Sequence, residues 1–353
     1  MKAGDEVRAA LIGFGLGGAV FHAPLIASTS GMRLVSVVTA DPERRARAER
    51  GYPGVAVLDA AEHLWERAEE HDLAVIATPN RFHAPLALAA LDAGLGVVVD
   101  KPFAPTSTEA RQVTEAARAG GRFLSVFHNR RWDGDFLTVR RLLEEGALGL
   151  VTRFESRYER WRPELDPSGW RERGEIAEAG GLLFDLGSHL VDQAIRLFGR
   201  PTRVYAEVER RRPGAEVDDD SFVALAHPDG VRSHLWASHV AARAGPRFRV
   251  LGMRGAFEKH GMDVQEEALA AGARPGDASW GREPRDRWGR LSTEEGERIV
   301  ETEPGAYGRF YAGVVASLRE GATPPVDPDE AVAVLEILEA ARASAAAGAV
   351  VPV

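Results

Sequence analysis

Two short stretches carry side chains able to move a proton. In "VVVDKP" Lys101 follows an apolar run and precedes Pro102. A lysine therefore stands just beyond the carboxyl end of a buried strand, the edge at which open α/β sheets bind ligands. In "GGLLFDLGSHLVDQAIRLFG" the run from Leu182 to Phe198 has helical periodicity and closes at Gly199. That spacing puts Asp185 and His189 on one helical face, with Asp192 continuing it. Such a pair can orient a hydroxyl and hold an imidazole for proton transfer, and it can equally be a hydrogen bond internal to the helix. One aspartate and one histidine are too few ligands for a catalytic zinc, so no metal is expected.

A third stretch, "AALIGFGLGGAVFHAPL", places Gly13, Gly15 and Gly18 in a G-x-G-x-x-G pattern directly after an apolar strand, with Phe14 and Leu16 between them. The first glycine permits the tight turn, the second lets a pyrophosphate approach the backbone, and the third lets the helix pack closely. Pro24 cannot sit deep in a helix, so the helix that follows is expected to be short and to restart near it, with Phe21 and His22 facing the crevice or pinning the break. The position at which an acidic residue would bind the adenosine ribose is Thr39. Asp41 follows, but with Pro42 it also reads as a helix cap. Arg44 and Arg45, one turn on, could meet a 2′-phosphate or form a solvated face. NADP is favoured, and NAD stays open as the alternative.

These residues need a scaffold. Six apolar runs, 7–13, 33–39, 55–57, 73–79, 96–102 and 122–128, alternate with helical stretches. Asp59 can cap one helix, Gly94 stops another, and Thr106 with Glu109 forms a capping box. The pattern reads as an α/β Rossmann domain with a doubly wound parallel sheet over residues 1–128. Beyond it a helix leads into longer alternating strands joined by turns, which reads as an α+β domain with a large open antiparallel sheet over 129–353. Residues 261–304, rich in Gly, Pro and charge, are expected to be weakly structured. A last helix is capped by Asp327, has Pro328 at its first position and ends at Gly348, and it is free to pack back on the first domain.

Composition removes several classes of function. The 353 residues are 44% hydrophobic and 27% charged, as in an ordinary globular chain, and the formal net charge of -9 disfavours a generic nucleic-acid binder. The absence of cysteine excludes disulfides, thiolate zinc sites and a cysteine nucleophile. No run of about 18 uninterrupted apolar residues occurs, so no membrane partner is expected and the cytoplasm is the expected compartment.

Taken in order and spacing, G-F-G-L-G-G, D-K-P and G-G-L-L-F-D-L-G-S-H-L-V-D resemble the Gfo/Idh/MocA oxidoreductases over essentially the whole chain. "VFHAPL", "SVFHNRRWDGDFLT", "GWRERG" and "DLGSHLVDQAIRLFG" are similar to the NADP-dependent scyllo-inositol dehydrogenase branch. In that family a glutamate usually precedes the lysine, and this chain has Asp100. The resemblance implies that Lys101, Asp185 and His189 form the catalytic set, with Lys101 and His189 able to exchange the roles of base and stabiliser. It implies reversible oxidation of a secondary alcohol on a polyol or sugar, and a homo-oligomer, dimer or tetramer, built on the second domain's sheet. Thr78, Pro79, Asn80, His83, Asp100 and Pro102 are expected to line the cofactor with the glycine turn. Asn129, Arg130 and Trp132 at the domain junction, and Tyr158, Trp170 and Arg171 around an aromatic, charged loop, are expected to meet the substrate. Two other classes remain open on this fold: a nucleotide-responsive regulatory binding protein without turnover, and an NAD-dependent glycoside hydrolase.

Overall fold

The computed structural model describes residues 6–165 and 179–353. The chain divides into two compact units. One comprises Met1–Asn129, Gln265–Trp280 and Tyr307–Val332, and the other Arg130–Val264, Gly281–Ala306 and Ala333–Val353.

In the first unit, β1 (Val7–Ile12), β2 (Met32–Val38), β3 (Ala56–Leu58), β4 (Leu73–Ile76), β5 (Gly96–Val99) and β6 (Leu124–Val126) form a wholly parallel sheet in the order β3-β2-β1-β4-β5-β6. Every residue of β4 and β5 is buried, as continuous apolar runs require when helices cover both faces. The strand order reverses direction between β1 and β4, which creates a crevice at their carboxyl ends. Register carries the expected site residues there: Ile12 pairs with Val38 and Ile76, and Ile76 with Val99. Gly13, Thr39, Ala77 and Asp100 therefore each follow a strand end along one edge.

The helices α1 (Ala23–Ser28), α2 (Pro42–Gly51), α3 (Ala61–Trp65), α4 (His83–Asp92) and α5 (Ser107–Ala119) connect these strands. Asp41 caps α2 through the Arg44 amide at 2.9 Å. Thr106 caps α5, accepting from the Glu109 amide at 3.2 Å and donating to the Glu109 carboxylate at 2.8 Å. The expected cap at Asp59 is corrected: its carboxylate pairs with Arg45, α3 starts after Ala60 without a side-chain cap, and the helix gives way to a short tight turn at Ala68–Glu70.

The second unit holds α6 (Gly134–Glu144) and a nine-stranded sheet of β7 (Val151–Glu159), β8 (Arg203–Glu209), β9 (Asp220–Ala226), β10 (Arg232–Ser238), β11 (Phe248–Gly252), β12 (Gly255–Lys259), β13 (Gly289–Thr293), β14 (Gly296–Val300) and β15 (Val351–Pro352). Its order is β14-β13-β12-β11-β7-β10-β9-β8-β15. The sheet is mixed rather than purely antiparallel, because β7 and β10 pair in parallel, Arg153 opposite Arg232. Between them the chain leaves the sheet through α7 (Leu182–Asp185) and α8 (Gly187–Phe198), and α8 packs on β7 and β10.

The segment 261–304 is also corrected. It contains α9 (Gln265–Ala270) and the β13/β14 hairpin, whose turn uses Gly296 at φ +122° and whose inner face buries Leu291 and Val300. The sequence reading has no counterpart for α10 (Gly308–Glu320), which buries Phe310, Tyr311, Val314 and Val315 in the first unit. The final helix, α11 (Pro328–Ala347), begins after Asp327, which accepts the Asp329 amide at 2.8 Å, and ends before Gly348 at φ +60°.

Candidate active site

In the first unit the glycines form a turn that side chains would fill. Gly13 has φ +95° and lies against the Ala77 carbonyl, while Gly18 lies against the Gly13 carbonyl. Around Gly15 the space is open: a Cβ there would meet only the Arg44 Nη1, at 3.9 Å. Leu16 is exposed, whereas the Phe14 ring turns inward to meet Tyr52 edge-on at 6.3 Å, so only its backbone faces the turn. Gly17 has a different neighbour. A Cβ at that position would stand 2.8 Å from Asp100 Oδ2, so the glycine turn and the residue before Lys101 touch directly.

The residues around the turn divide into occupied and available groups. Asp41 is committed to its cap, and Arg45 to the Val57 carbonyl at 3.1 Å and to Asp59. Arg44 extends half-exposed beside Gly15. Thr39 is buried, with its amide donating to the Leu58 carbonyl at 2.8 Å. His83 bridges two loops, with Nδ1 2.8 Å from the Pro102 carbonyl and Nε2 2.9 Å from the Thr78 carbonyl. Two carbonyls favour the doubly protonated ring, but burial dominates and holds its pKa below the ordinary histidine value. Asn80 and Pro79 belong to the same turn. The Thr78 hydroxyl is buried with no partner among the described residues, a polar atom left over at the rim of the glycine turn. An open backbone at Gly15, an orphan hydroxyl at Thr78 and a cation at Arg44 fit a dinucleotide.

Asp100 accepts the Lys101 amide on Oδ1 at 2.8 Å, and the Lys101–Pro102 peptide is cis. Burial alone would raise the Asp100 carboxyl, but His22, Lys101 and His83 outweigh it and bring the pKa down to about 2. This carboxylate is ionised at neutral pH.

In the second unit the expected continuous helix is interrupted. Asp185 ends α7 and His189 lies in the first turn of α8, with Leu186 between at φ -98°, ψ -32°. The Asp185 carbonyl accepts from the Ser188 hydroxyl at 3.0 Å, while the His189 amide donates to Leu186 at 3.2 Å. Leu186 stays in the right-handed helical region, so α8 follows α7 with one tightened turn between Asp185 and His189. Asp192 forms a buried pair with Arg131, with Nη2 2.6 Å from Oδ1.

Tyr158 and Arg130, expected to meet the substrate, both lie in the interior. Tyr158 is 1% exposed, lies edge-on to His189 at 6.3 Å, and carries Arg247 and Arg130 over its ring at 4.1 and 5.2 Å. Its hydroxyl accepts from Arg247 at 2.7 Å, and burial raises its pKa. Arg130 is buried with Asp133 3.5 Å away. Tyr158 thus lies between Arg130 and His189 as a neighbour of both. Asn129 closes the first unit's opening segment and is buried, while the half-buried Trp132 accepts the Ala306 amide on its carbonyl at 2.9 Å. Trp170 and Arg171 lie outside the described residues.

Sequence reasoning missed Arg247. It donates to Tyr158, to Gln193 at 2.8 Å and to Ser156, and so ties α8 to β7. Strand alternation hides it, because its neighbour Phe248 is buried too. Gln193, one turn beyond His189, was the available clue. His239 was missed as well: its pKa is pushed down to about 4, chiefly by burial and then by Arg212, Arg162 and Arg160, with Asp185 opposing.

Residues 7–128 match a family model described as an oxidoreductase family with an NAD-binding Rossmann fold, and residues 136–258 match the GFO/IDH/MocA C-terminal domain. The chain is 43% identical over 339 residues to the uncharacterized oxidoreductase YdgJ of Escherichia coli, covering 95% of each protein. It is 36% identical over 344 residues to the scyllo-inositol 2-dehydrogenase (NADP(+)) IolW of Bacillus subtilis, covering 96% of this chain and 94% of that one. Among solved structures, yvaA of Bacillus subtilis, provisionally described as an oxidoreductase, superposes with a TM-score of 0.94 at 34% identity, covering 100% of this chain and 99% of that one. With the glycine turn, the parallel sheet and both family domains in one chain, this protein belongs to the GFO/IDH/MocA oxidoreductases and has their NAD(P)-binding Rossmann fold.

Proposed function

We propose that this oxidoreductase reversibly oxidises a secondary alcohol of a cyclic polyol or sugar, with NADP as preferred cofactor and scyllo-inositol as the first substrate to test. The reading rests above all on the contact between Gly17 and Asp100, which makes Lys101 the next residue after the glycine turn's own neighbour. The bound nicotinamide cofactor supplies the hydride acceptor. Lys101 Nζ, in its neutral form, takes the hydroxyl proton as the carbinol C–H bond breaks, and returns it in reduction. His189 shares that proton or stabilises the developing oxyanion, and Asp185 orients the hydroxyl. Thr39 offers no charge to repel a 2′-phosphate, and Arg44 beside Gly15 offers one to attract it. IolW, a relative along nearly the whole chain, is described as NADP-dependent and as acting on scyllo-inositol, which supports both choices.

Steady-state kinetics with NADP and NAD over inositol isomers, glucose, xylose and isopropanol test this reading. A site built from several hydroxyl-reading groups should favour the best polyol over isopropanol by about 10³ or more in kcat/KM. Equal rates with isopropanol would overturn the polyol reading, and an aldose as best substrate would replace the inositol. Lys101→Ala should lower kcat by roughly 10² or more while leaving NADPH affinity within a few fold. Full activity in that variant would remove Lys101 as the base.

A further inference from the structure

The segment after the glycine turn is not an ordinary helix. The Ala23 amide bonds the Gly18 carbonyl, five residues back, so the chain makes one wide turn over Gly17–His22 before α1 begins. Pro24 accounts for it: the proline brings no amide, and its ring would press on the carbonyl four residues earlier in a regular helix. Wide turns of this kind occur often at functional sites, because they redirect one side chain. Here the redirected side chain is His22, which has no exposed surface. Its ring lies 4.3 Å from Phe127 between centroids, and Phe127 in turn packs against Phe310 at 4.9 Å.

Both ring nitrogens of His22 face groups of the same unit. Nδ1 is 2.6 Å from the Tyr311 hydroxyl, and Nε2 is 3.6 Å from Asp100 Oδ2. Burial, with the Asp100 charge adding to it, holds the Tyr311 phenol well above its ordinary pKa, so it remains a protonated donor. Nδ1 is its hydrogen-bond partner, and the phenol can either donate to that nitrogen or accept from it. The Asp100 carboxylate, 3.6 Å away and just beyond hydrogen-bond reach, favours placing the neutral ring's proton on Nε2, and Nδ1 then accepts from the phenol. The other oxygen of that carboxylate holds the Lys101 amide.

We propose that Tyr311, His22 and Asp100, the first two fully buried, form a positioning file for Lys101, in which Tyr311 fixes the Nε2–H tautomer of His22 and His22 fixes the carboxylate that holds the Lys101 peptide. Its effect on turnover rests on the assignment of Lys101 above; its geometry does not. All three act through Lys101 and none is a catalytic residue. Gly17 belongs to the arrangement, because any side chain there would displace the carboxylate.

Long-range ¹H–¹⁵N correlation spectra of the histidine-labelled protein read the tautomer directly, with the His22 signals identified by their loss in His22→Gln. The Nε2–H form is expected in the wild type, with a shift toward mixed tautomers in Tyr311→Phe. An Nδ1–H or doubly protonated His22 in the wild type would overturn the file. In kinetics, Tyr311→Phe should lower kcat about tenfold with KM and NADPH affinity within about twofold, the scale of one buried neutral hydrogen bond acting on positioning. His22→Gln, whose amide can accept from Tyr311 and donate to Asp100, should keep kcat within about threefold, whereas His22→Leu should lose about 10². Unchanged kcat in both Tyr311→Phe and His22→Leu also overturns the proposal. If His22→Leu fails to fold, Tyr311→Phe, which removes one oxygen, decides the kinetic arm alone. Lys101→Ala runs in the same assay: full activity there defeats the assignment of the base, while the tautomer spectra still judge the file.

Discussion

Arg131 grips Asp192 from two sides inside the second unit, with Nη2 2.6 Å from Oδ1 and Nε 3.0 Å from Oδ2, both side chains almost fully buried. The pair clamps α8 one turn beyond His189. Breaking it leaves a buried guanidinium without its counter-charge, so Asp192→Ala should cost about 3–5 kcal/mol in urea unfolding. Replacing both residues with apolar ones of similar size should recover most of that loss. If the double replacement is as unstable as the single one, the cost lies in packing rather than in charge.

The glycine turn separates fold from ligand approach. Gly18→Ala drives a methyl group into the Gly13 carbonyl and should lower the melting temperature along with cofactor binding. Gly15→Ala meets nothing closer than Arg44 at 3.9 Å, so the melting temperature should stay put. NADPH affinity should nevertheless fall by about tenfold or more, because the methyl group occupies the space a pyrophosphate would use. Fluorescence titration beside thermal unfolding distinguishes the two; undiminished binding in Gly15→Ala would relocate the phosphates.

Arg44 and Arg45 should behave differently despite their adjacency. Arg45 holds the Val57 carbonyl and Asp59, so Arg45→Ala should act on stability. Arg44→Ala should weaken NADPH by about 10-fold or more, the worth of a charge-assisted contact, and leave NADH unchanged. Equal weakening of both cofactors would deny Arg44 its 2′-phosphate.

The depressed His239 pKa makes a signed prediction. The unfolded chain takes up this proton near pH 6.5 and the folded chain only near pH 4. The full contribution to stability is therefore present above pH 6.5 and is lost as the pH falls toward 4, by roughly 1–2 kcal/mol once solvent screening of a half-buried ring is allowed for. His239→Gln should flatten the stability profile across that window by the same amount. A profile parallel to the wild type would place the histidine in solvent.

Local rules made much of this molecule legible. Asp41, Thr106 with Glu109, and Gly348 act on their own neighbouring turns, and the alternation of apolar runs with helices leaves little choice but a parallel sheet. What escaped depends on partners far along the chain. Asp59 reads as a cap until Arg45 claims it, and the parallel pairing of β7 with β10 is decided by where the chain returns. The charges of 285–300 obscure a hairpin whose inner face needs only Leu291 and Val300. In the candidate site, Lys101, Asp185 and His189 stand out by spacing, whereas Arg247 and Tyr311 belong to the interior and announce no chemistry until their neighbours are known.

The parallel pairing of β7 with β10 also bears on the order of events as the chain folds. Arg153 must find Arg232, and α8 comes to rest on both strands, so the surroundings of His189 are assembled only after a long stretch of chain has turned back. Closing such a loop costs entropy before any contact rewards it. The first unit's sheet needs one such return, for β4 pairs with β1, but its other pairings join consecutive strands through short βα steps. During refolding, amide protection in α8 should lag behind that in β1, β4 and β5, leaving an interval in which the dinucleotide fold exists and the packing around His189 does not. Pulse-labelled hydrogen exchange resolves this order, and simultaneous protection of α8 and β4 would reduce the two events to one.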